Sequence, residues 1–206
     1  MPELRQTARS TLRRKTERGR YDEGVVHGIL DEGLICHVGF AVDGAPWVVP
    51  TAYARVDDRL YLHGASGNFA LRTICSGVDV CVTVTLLDGL VLARSAFHHS
   101  MNYRSVVLFG RAEKVTDDAE KRTALLAVVD HMVSGRNGET RPPTDEELRA
   151  TLVARFEIDE GSAKVRSGGP IDDPDDYRLS HWAGVIPLAV VRGDPEPDLR
   201  PEPPTS

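Results

Sequence analysis

The chain has 206 residues, 41% hydrophobic and 27% charged, with a formal net charge of −6. That length and mix predict one soluble globular domain and exclude a collagen-like or wholly disordered polypeptide. The charge is uneven: residues 1–20 hold seven basic and two acidic side chains, a local +5, which leaves −11 on the rest and argues against a nucleic-acid-binding body.

Residues 1–20 read as a basic arm in which Arg5, Arg9 and Arg13 fall at helical spacing. Asp22 is a candidate N-cap for a short helix that runs to Asp31, with Val25, Val26, Ile29 and Leu30 on one face and Gly33 as its stop. Residues 34–42, 47–55 and 60–63 read as three antiparallel strands, joined by turns at Asp43-Gly44 and Asp57-Asp58. The small-residue loop Gly64-Ala65-Ser66-Gly67-Asn68 leads into a short helix over 69–75. Residues 78–85 alternate valines with polar or small residues at the period of a half-buried strand. Asp88-Gly89 is predicted to turn that strand into another over 90–97, and 103–115 follows as a further strand. Residues 119–133 form the strongest helix, with Leu125, Leu126, Val129 and Met132 at core spacing. Thr144 and Glu147 spell a capping box for a second helix, and 151–158 is the last clear strand. Five prolines from residue 193 onward predict a disordered tail. The organisation expected is therefore an arm (1–20), one domain (21–192) and a tail (193–206). Many short strands with a few inserted helices predict a mainly β fold, a small barrel, rather than a doubly wound parallel sheet.

Several sites are absent: the sequence has no dinucleotide or P-loop glycine motif, no HExxH, no GxSxG and no CxxC. Cys36, Cys75 and Cys81 are too few, and odd in number, for a disulfide framework, which predicts free thiols in a reducing cytoplasm. No apolar run nears the roughly 18 residues of a spanning helix, and no secretory or lipidation signal is visible, so no membrane partner is expected. No metal site is expected: His98 and His99, as neighbours on a strand, point to opposite sides, and the run from Asp172 to Asp176 reads as a solvated loop. Two segments hold dense hydrogen-bonding chemistry. One runs from Leu62 to Asn68, where a strand, a small-residue loop and a helix N-terminus suit an anionic group. The other runs from Leu92 to Val106, where Arg104 could clamp a phosphate.

At these residues the sequence resembles the pyridoxamine 5′-phosphate oxidase-related flavin-nucleotide-binding proteins, in the branch that includes nitroimidazole-resistance proteins. The matching words include Val49-Pro50-Thr51-Ala52-Tyr53, Leu60-Tyr61-Leu62-His63-Gly64-Ala65, Asn102-Tyr103-Arg104-Ser105-Val106, Ser162-Ala163-Lys164-Val165-Arg166 and Trp182-Ala183-Gly184-Val185-Ile186-Pro187. In order, they span about residues 20–190. The resemblance implies a split β-barrel and a homodimer with FMN at the subunit interface. It implies that Val49, Pro50, Thr51 and Ala52 run along the flavin ring. It makes His63 the catalytic candidate, a substrate-facing or proton-donating residue that with Gly64 and Ala65 begins the phosphate-side turn. Ser66 and Asn68 would reach the phosphate or ribityl chain, and Ser100, Asn102, Tyr103, Arg104 and Ser105 would add polar contacts. Trp182 would pack either at the flavin edge or in the core. Many relatives carry a Ser-Arg word where this chain has Gly67-Asn68-Phe69. Either Arg72, Arg104 or Lys164 replaces that cation, or FMN is held less tightly.

The expectation that follows is an FMN-dependent oxidoreductase acting on a small planar acceptor such as a nitroaromatic compound. A non-catalytic flavin-binding or sensing protein, or a split-barrel enzyme that uses a deazaflavin or haem, are the alternatives.

Overall fold

The computed structural model describes residues 2–198, so most of the predicted tail beyond Gly193 lies outside the described residues. Short-range signals set the first half of the fold. Two residues, β1 (Gly19–Arg20), precede α1 (Glu23–Glu32), which Asp22 caps by accepting the Val25 N–H; Val26, Ile29 and Leu30 are its buried face. Strands β2 (Ile35–Val42) and β3 (Ala45–Val56) form a hairpin whose turn residues, Asp43 and Gly44, both take positive φ (51° and 81°), the twist that a two-residue hairpin favours. A second turn, with Asp57 at φ 51°, returns the chain as β4 (Arg59–Ala65). Asn68 then caps the six-residue α2 (Phe69–Ile74).

The expected turn at Asp88-Gly89 is not a turn. β5 is one thirteen-residue strand (Val80–Leu92), and its register against β6 (Ser100–Gly110) shifts between Leu87 and Gly89. The Asp-Gly pair makes a bulge, because neighbouring strands hold both of its flanks in the sheet. β7 (Ala112–Lys114) follows, and then α3 (Asp118–Met132), α4 (Asp145–Ala150) with the predicted capping box, and β8 (Thr151–Glu157). Three strands have no clear sequence signal: β1, β9 (Glu160–Arg166) and β10 (Gly184–Pro187).

The sheet runs β1-β9-β6-β5-β2-β3-β4-β8-β7 with antiparallel neighbours throughout, and β10 pairs with the far half of β5. Alternate residues of β2, β5, β6 and β9 (Val38, Val82, Val84, Val106, Leu108, Ala163) enter the main core with Leu30, Leu62 and Phe156. Tyr53 is fully buried there and donates its hydroxyl to Leu30 O at 2.5 Å. A smaller core, Tyr61, Val115, Ala124 and Val153, lies on the other side of β4 and β8, under α3.

Two expectations about faces are corrected. Arg5, Arg9 and Arg13 do not lie on a helix. Residues 3–10 run in extended and turn conformations across β9: Leu4 is buried, and Arg5 N–H donates to Asp159 O at 2.8 Å. In α3 the buried residues are Lys121, Ala124 and Val128, whereas Met132 is 46% exposed. The helix packs inward through Lys121, Ala124 and Val128, and Leu125, Val129 and Met132 line a cavity.

Candidate functional site

His63 lies on β4 opposite Val153 of β8, which directs it to the α3 side of the sheet. It forms one wall of a cavity of about 440 Å³ whose opposite wall is Leu125, Val128, Val129 and Met132 of α3; Arg141 and Glu147 stand at its rim. His63 Nδ1 is buried without a hydrogen-bond partner. Burial lowers its pKa, so the ring is neutral at neutral pH and carries a free lone pair. A buried, unsatisfied nitrogen costs about 1–3 kcal/mol.

A second, smaller cavity of about 120 Å³ also touches His63 and is lined by Val49, Pro50, Thr51, Asn68, Phe40 and Leu71. The structure therefore brings together five of the predicted residues: Val49, Pro50, Thr51, His63 and Asn68. Their neighbours contribute shape. A Cβ on Gly64 would meet Leu71 Cδ1 at 2.9 Å, and Ala65 pairs with Thr151 across β8. Ala52 pairs with Ile35. Asn68 spends its side-chain oxygen on the Leu71 N–H. Ser66 is fixed through its backbone N–H to Ala150 O, and the exposed Arg72 side chain has no ion-pair partner among the described residues.

The other predicted group sits elsewhere. Across β5, β6 and β9, Thr85 lies opposite Ser105 and Ser105 opposite Lys164; Tyr103 lies opposite Arg166. Paired residues share a face, so these side chains form one polar patch on the outside of the sheet. Lys164 has no hydrogen-bond or ion-pair partner for its side chain among the described residues. Arg166 is buried and donates to Asn102 Oδ1, Gly168 O and Gly169 O, all of them neutral. Burial, and then the nearby Arg18, lower its pKa. The patch thus carries positive charge that no carboxylate among its described hydrogen-bond partners neutralises, an arrangement that fits an anion. Arg166 was missed as a candidate; strand parity from Lys164 places it on the same face and could have found it.

Arg104 does not join the patch. Its guanidinium donates to Glu32 and to Asp88, the latter at 2.7 and 3.0 Å, and these two carboxylates raise its pKa. The expected phosphate clamp is already saturated from within the chain. Ser100 pairs with Val91 at the far end of β6, and Trp182 is 65% exposed beside Gly184, so it is not a core residue. No residue of β6 or β9 lines either cavity.

The acidic run is not simply solvated. The Asp172 side chain is fully buried and accepts from the Arg94 and Ser95 N–H groups and from the Arg94 guanidinium. His98 lies 3.3 Å from Asp173 and near Asp176 at the surface. Among the described residues no helix is long and apolar enough to cross a membrane.

The flavocytochrome Anf3 from Azotobacter vinelandii is 42% identical, over 97% of this chain and 93% of that one, with a TM-score of 0.89. An FAD and haem binding protein from Mycobacterium smegmatis is 38% identical over 91% and 94%, with a TM-score of 0.85. A putative 5-nitroimidazole antibiotic resistance protein from Bacteroides thetaiotaomicron is 26% identical over 71% and 86%, with a TM-score of 0.61. No curated protein matches the chain. The expected split β-barrel is the fold of this chain. The pyridoxamine 5′-phosphate oxidase model matches residues 22–165, and with that match and the two full-length relatives the chain belongs to the pyridoxamine 5′-phosphate oxidase family.

Proposed function

We propose that this protein is a flavin-dependent oxidoreductase that also holds a haem, with His63 as the haem ligand. The observation that carries the haem half is His63 itself, a histidine kept neutral by burial and set in the wall of the largely apolar α3 cavity. A neutral imidazole is the ligand form that haem iron requires, and the α3 side chains would exclude water around it. Relatives described as a flavocytochrome and as an FAD and haem binding protein support the pairing.

The flavin half rests on the outer patch. Lys164 supplies a cation unpaired among the described residues, with the buried Arg166 charge behind it, and Ser105, Thr85 and Tyr103 supply hydroxyls, a set suited to a nucleotide phosphate. The relative described as an FAD and haem binding protein favours FAD over FMN as the nucleotide. The residues around the small cavity (Val49, Pro50, Thr51 and Asn68) lie apart from that patch within one chain, and a homodimer would unite them. When bound, the flavin supplies two-electron and the haem one-electron chemistry. The protein's part is to hold both, to keep His63 neutral and to leave room for a small planar acceptor.

The test is the absorbance spectrum of the purified full chain and of His63→Ala. The expected wild-type spectrum shows flavin bands and a haem Soret band, and His63→Ala loses the Soret band while it keeps the flavin. Chromatography of the released flavin separates FAD from FMN. A Soret band that survives His63→Ala removes His63 as ligand. A wild-type chain that takes up neither cofactor on addition overturns the reading.

A further inference from the structure

The rim of the α3 cavity carries a charge pair that its apolar walls do not explain. Arg141 donates to Glu147 in bidentate fashion, at 2.6 and 2.8 Å, and both side chains line the cavity. The two are about half exposed or more (67% and 48%), so the pair is open to exchange with solvent and solutes. Glu147 has a second duty: its carboxylate accepts the Thr144 N–H at 2.8 Å and closes the capping box of α4. Arg141 has none beyond a 3.2 Å contact to Pro142 O. The fork of Arg141 is therefore held by a carboxylate that α4 would retain without it.

An apolar body against Leu125, Val128 and Val129 with an anionic tail at the mouth would suit this cavity. A guanidinium fork recognises a ligand carboxylate with the same two parallel bonds it now gives Glu147. Resting on the haem reading above, we propose that Arg141 is the residue that recognises the carboxylate tail of the porphyrin. Glu147 is its resident competitor and holds the fork until that tail takes it. Glu147 would then set affinity by subtraction: each gain at Arg141 is reduced by the pair that must be given up.

The competition makes opposite predictions for the two partners. Apo full-length protein is titrated with hemin, read by the Soret band, in the wild type, Arg141→Ala, Arg141→Lys, Glu147→Gln and the double variant Arg141→Ala/Glu147→Gln. Arg141→Ala should weaken hemin binding about tenfold, which corresponds to ~1.4 kcal/mol, and Arg141→Lys should fall between. Glu147→Gln should tighten it severalfold, because glutamine still accepts from Thr144 but no longer neutralises Arg141. That gain should vanish in the double variant. Thermal melts establish that each variant folds. If Glu147→Gln weakens hemin as Arg141→Ala does, the pair is a structural brace and the proposal fails. If every variant binds hemin like the wild type, the proposal fails while the haem reading stands. If the wild type binds no hemin, both fall.

Discussion

Glu160 is the acidic residue on which the N-terminal segment depends. Its side chain is 4% exposed and takes Arg9 in bidentate fashion, at 2.7 and 2.9 Å, together with the Thr7 hydroxyl and Arg5. Arg9 foremost among them holds its carboxyl at about 2, against an ordinary 4.5. The folded state binds the Glu160 proton less readily than the unfolded chain does. Its contribution is therefore complete above about pH 4.5 and fades as pH falls toward 2. Breaking a fully buried pair costs about 3–5 kcal/mol; Arg9 is 45% exposed, so Arg9→Ala should cost less, roughly 1–2 kcal/mol. Urea melts at pH 7 and pH 3 check this: the wild-type advantage over Arg9→Ala should shrink at the lower pH. An equal difference at both would show that Arg9 acts through packing alone. At this scale the sequence was informative about kind and silent about pairing. His63 could be singled out from its local word, whereas the carboxylates that neutralise Arg104 lie 16 and 72 residues away, where no spacing rule reaches.

Among the elements, those fixed by local chemistry could be read directly. The Asp22 cap, the Asp43-Gly44 hairpin and the Thr144–Glu147 capping box each depend on side chains within three residues of the backbone they satisfy. The bulge in β5 and the existence of β9 depend on distant partners instead. β9 reads Glu-Gly-Ser-Ala-Lys-Val-Arg, with almost no alternation, because the N-terminal segment covers one face and the core takes the other. Gly161 shows how closely it is seated: a Cβ there would lie 2.6 Å from Val107 O and 2.7 Å from Leu108 Cδ2. The first of these is backbone and cannot swing aside. Gly161→Ala must therefore separate β9 from β6, at a cost of about 1–3 kcal/mol for overpacking. Hydrogen exchange should show the loss first in the amides of Tyr103–Arg166 to Phe109–Glu160 pairing, before α3 is affected. Uniform loss across the chain, or none, would mean that the strand relaxes around the methyl group.

One face of the molecule is exposed, at least in part, from end to end. Register carries it continuously from β3 to β9: Val48 lies beside Gly39, Gly39 beside Cys81, Thr85 beside Ser105 and Ser105 beside Lys164. Its near half is apolar and bare, with Ile35 55% and Val48 66% exposed; its far half is the cationic patch. An apolar area of this kind bordering a charged one marks an interaction surface, and a second copy on it would join the patch of one chain to the small cavity of the other. The cavity proposed for haem is different: its lining comes from β4, α3, the 140–143 connection and α4. If both proposed cofactors bind a dimer, they should respond differently to its dissociation. Val48→Arg puts a charge in the apolar half at a position that lines neither cavity, although it neighbours Val49 of the small one. Light scattering should show a monomer, and the flavin should be lost on gel filtration, while hemin is still taken up with the wild-type Soret band. Retention of flavin by a monomeric Val48→Arg protein would place the whole flavin site within one chain. Loss of both cofactors would mean that dimerisation holds α3 in place as well as closing the flavin site.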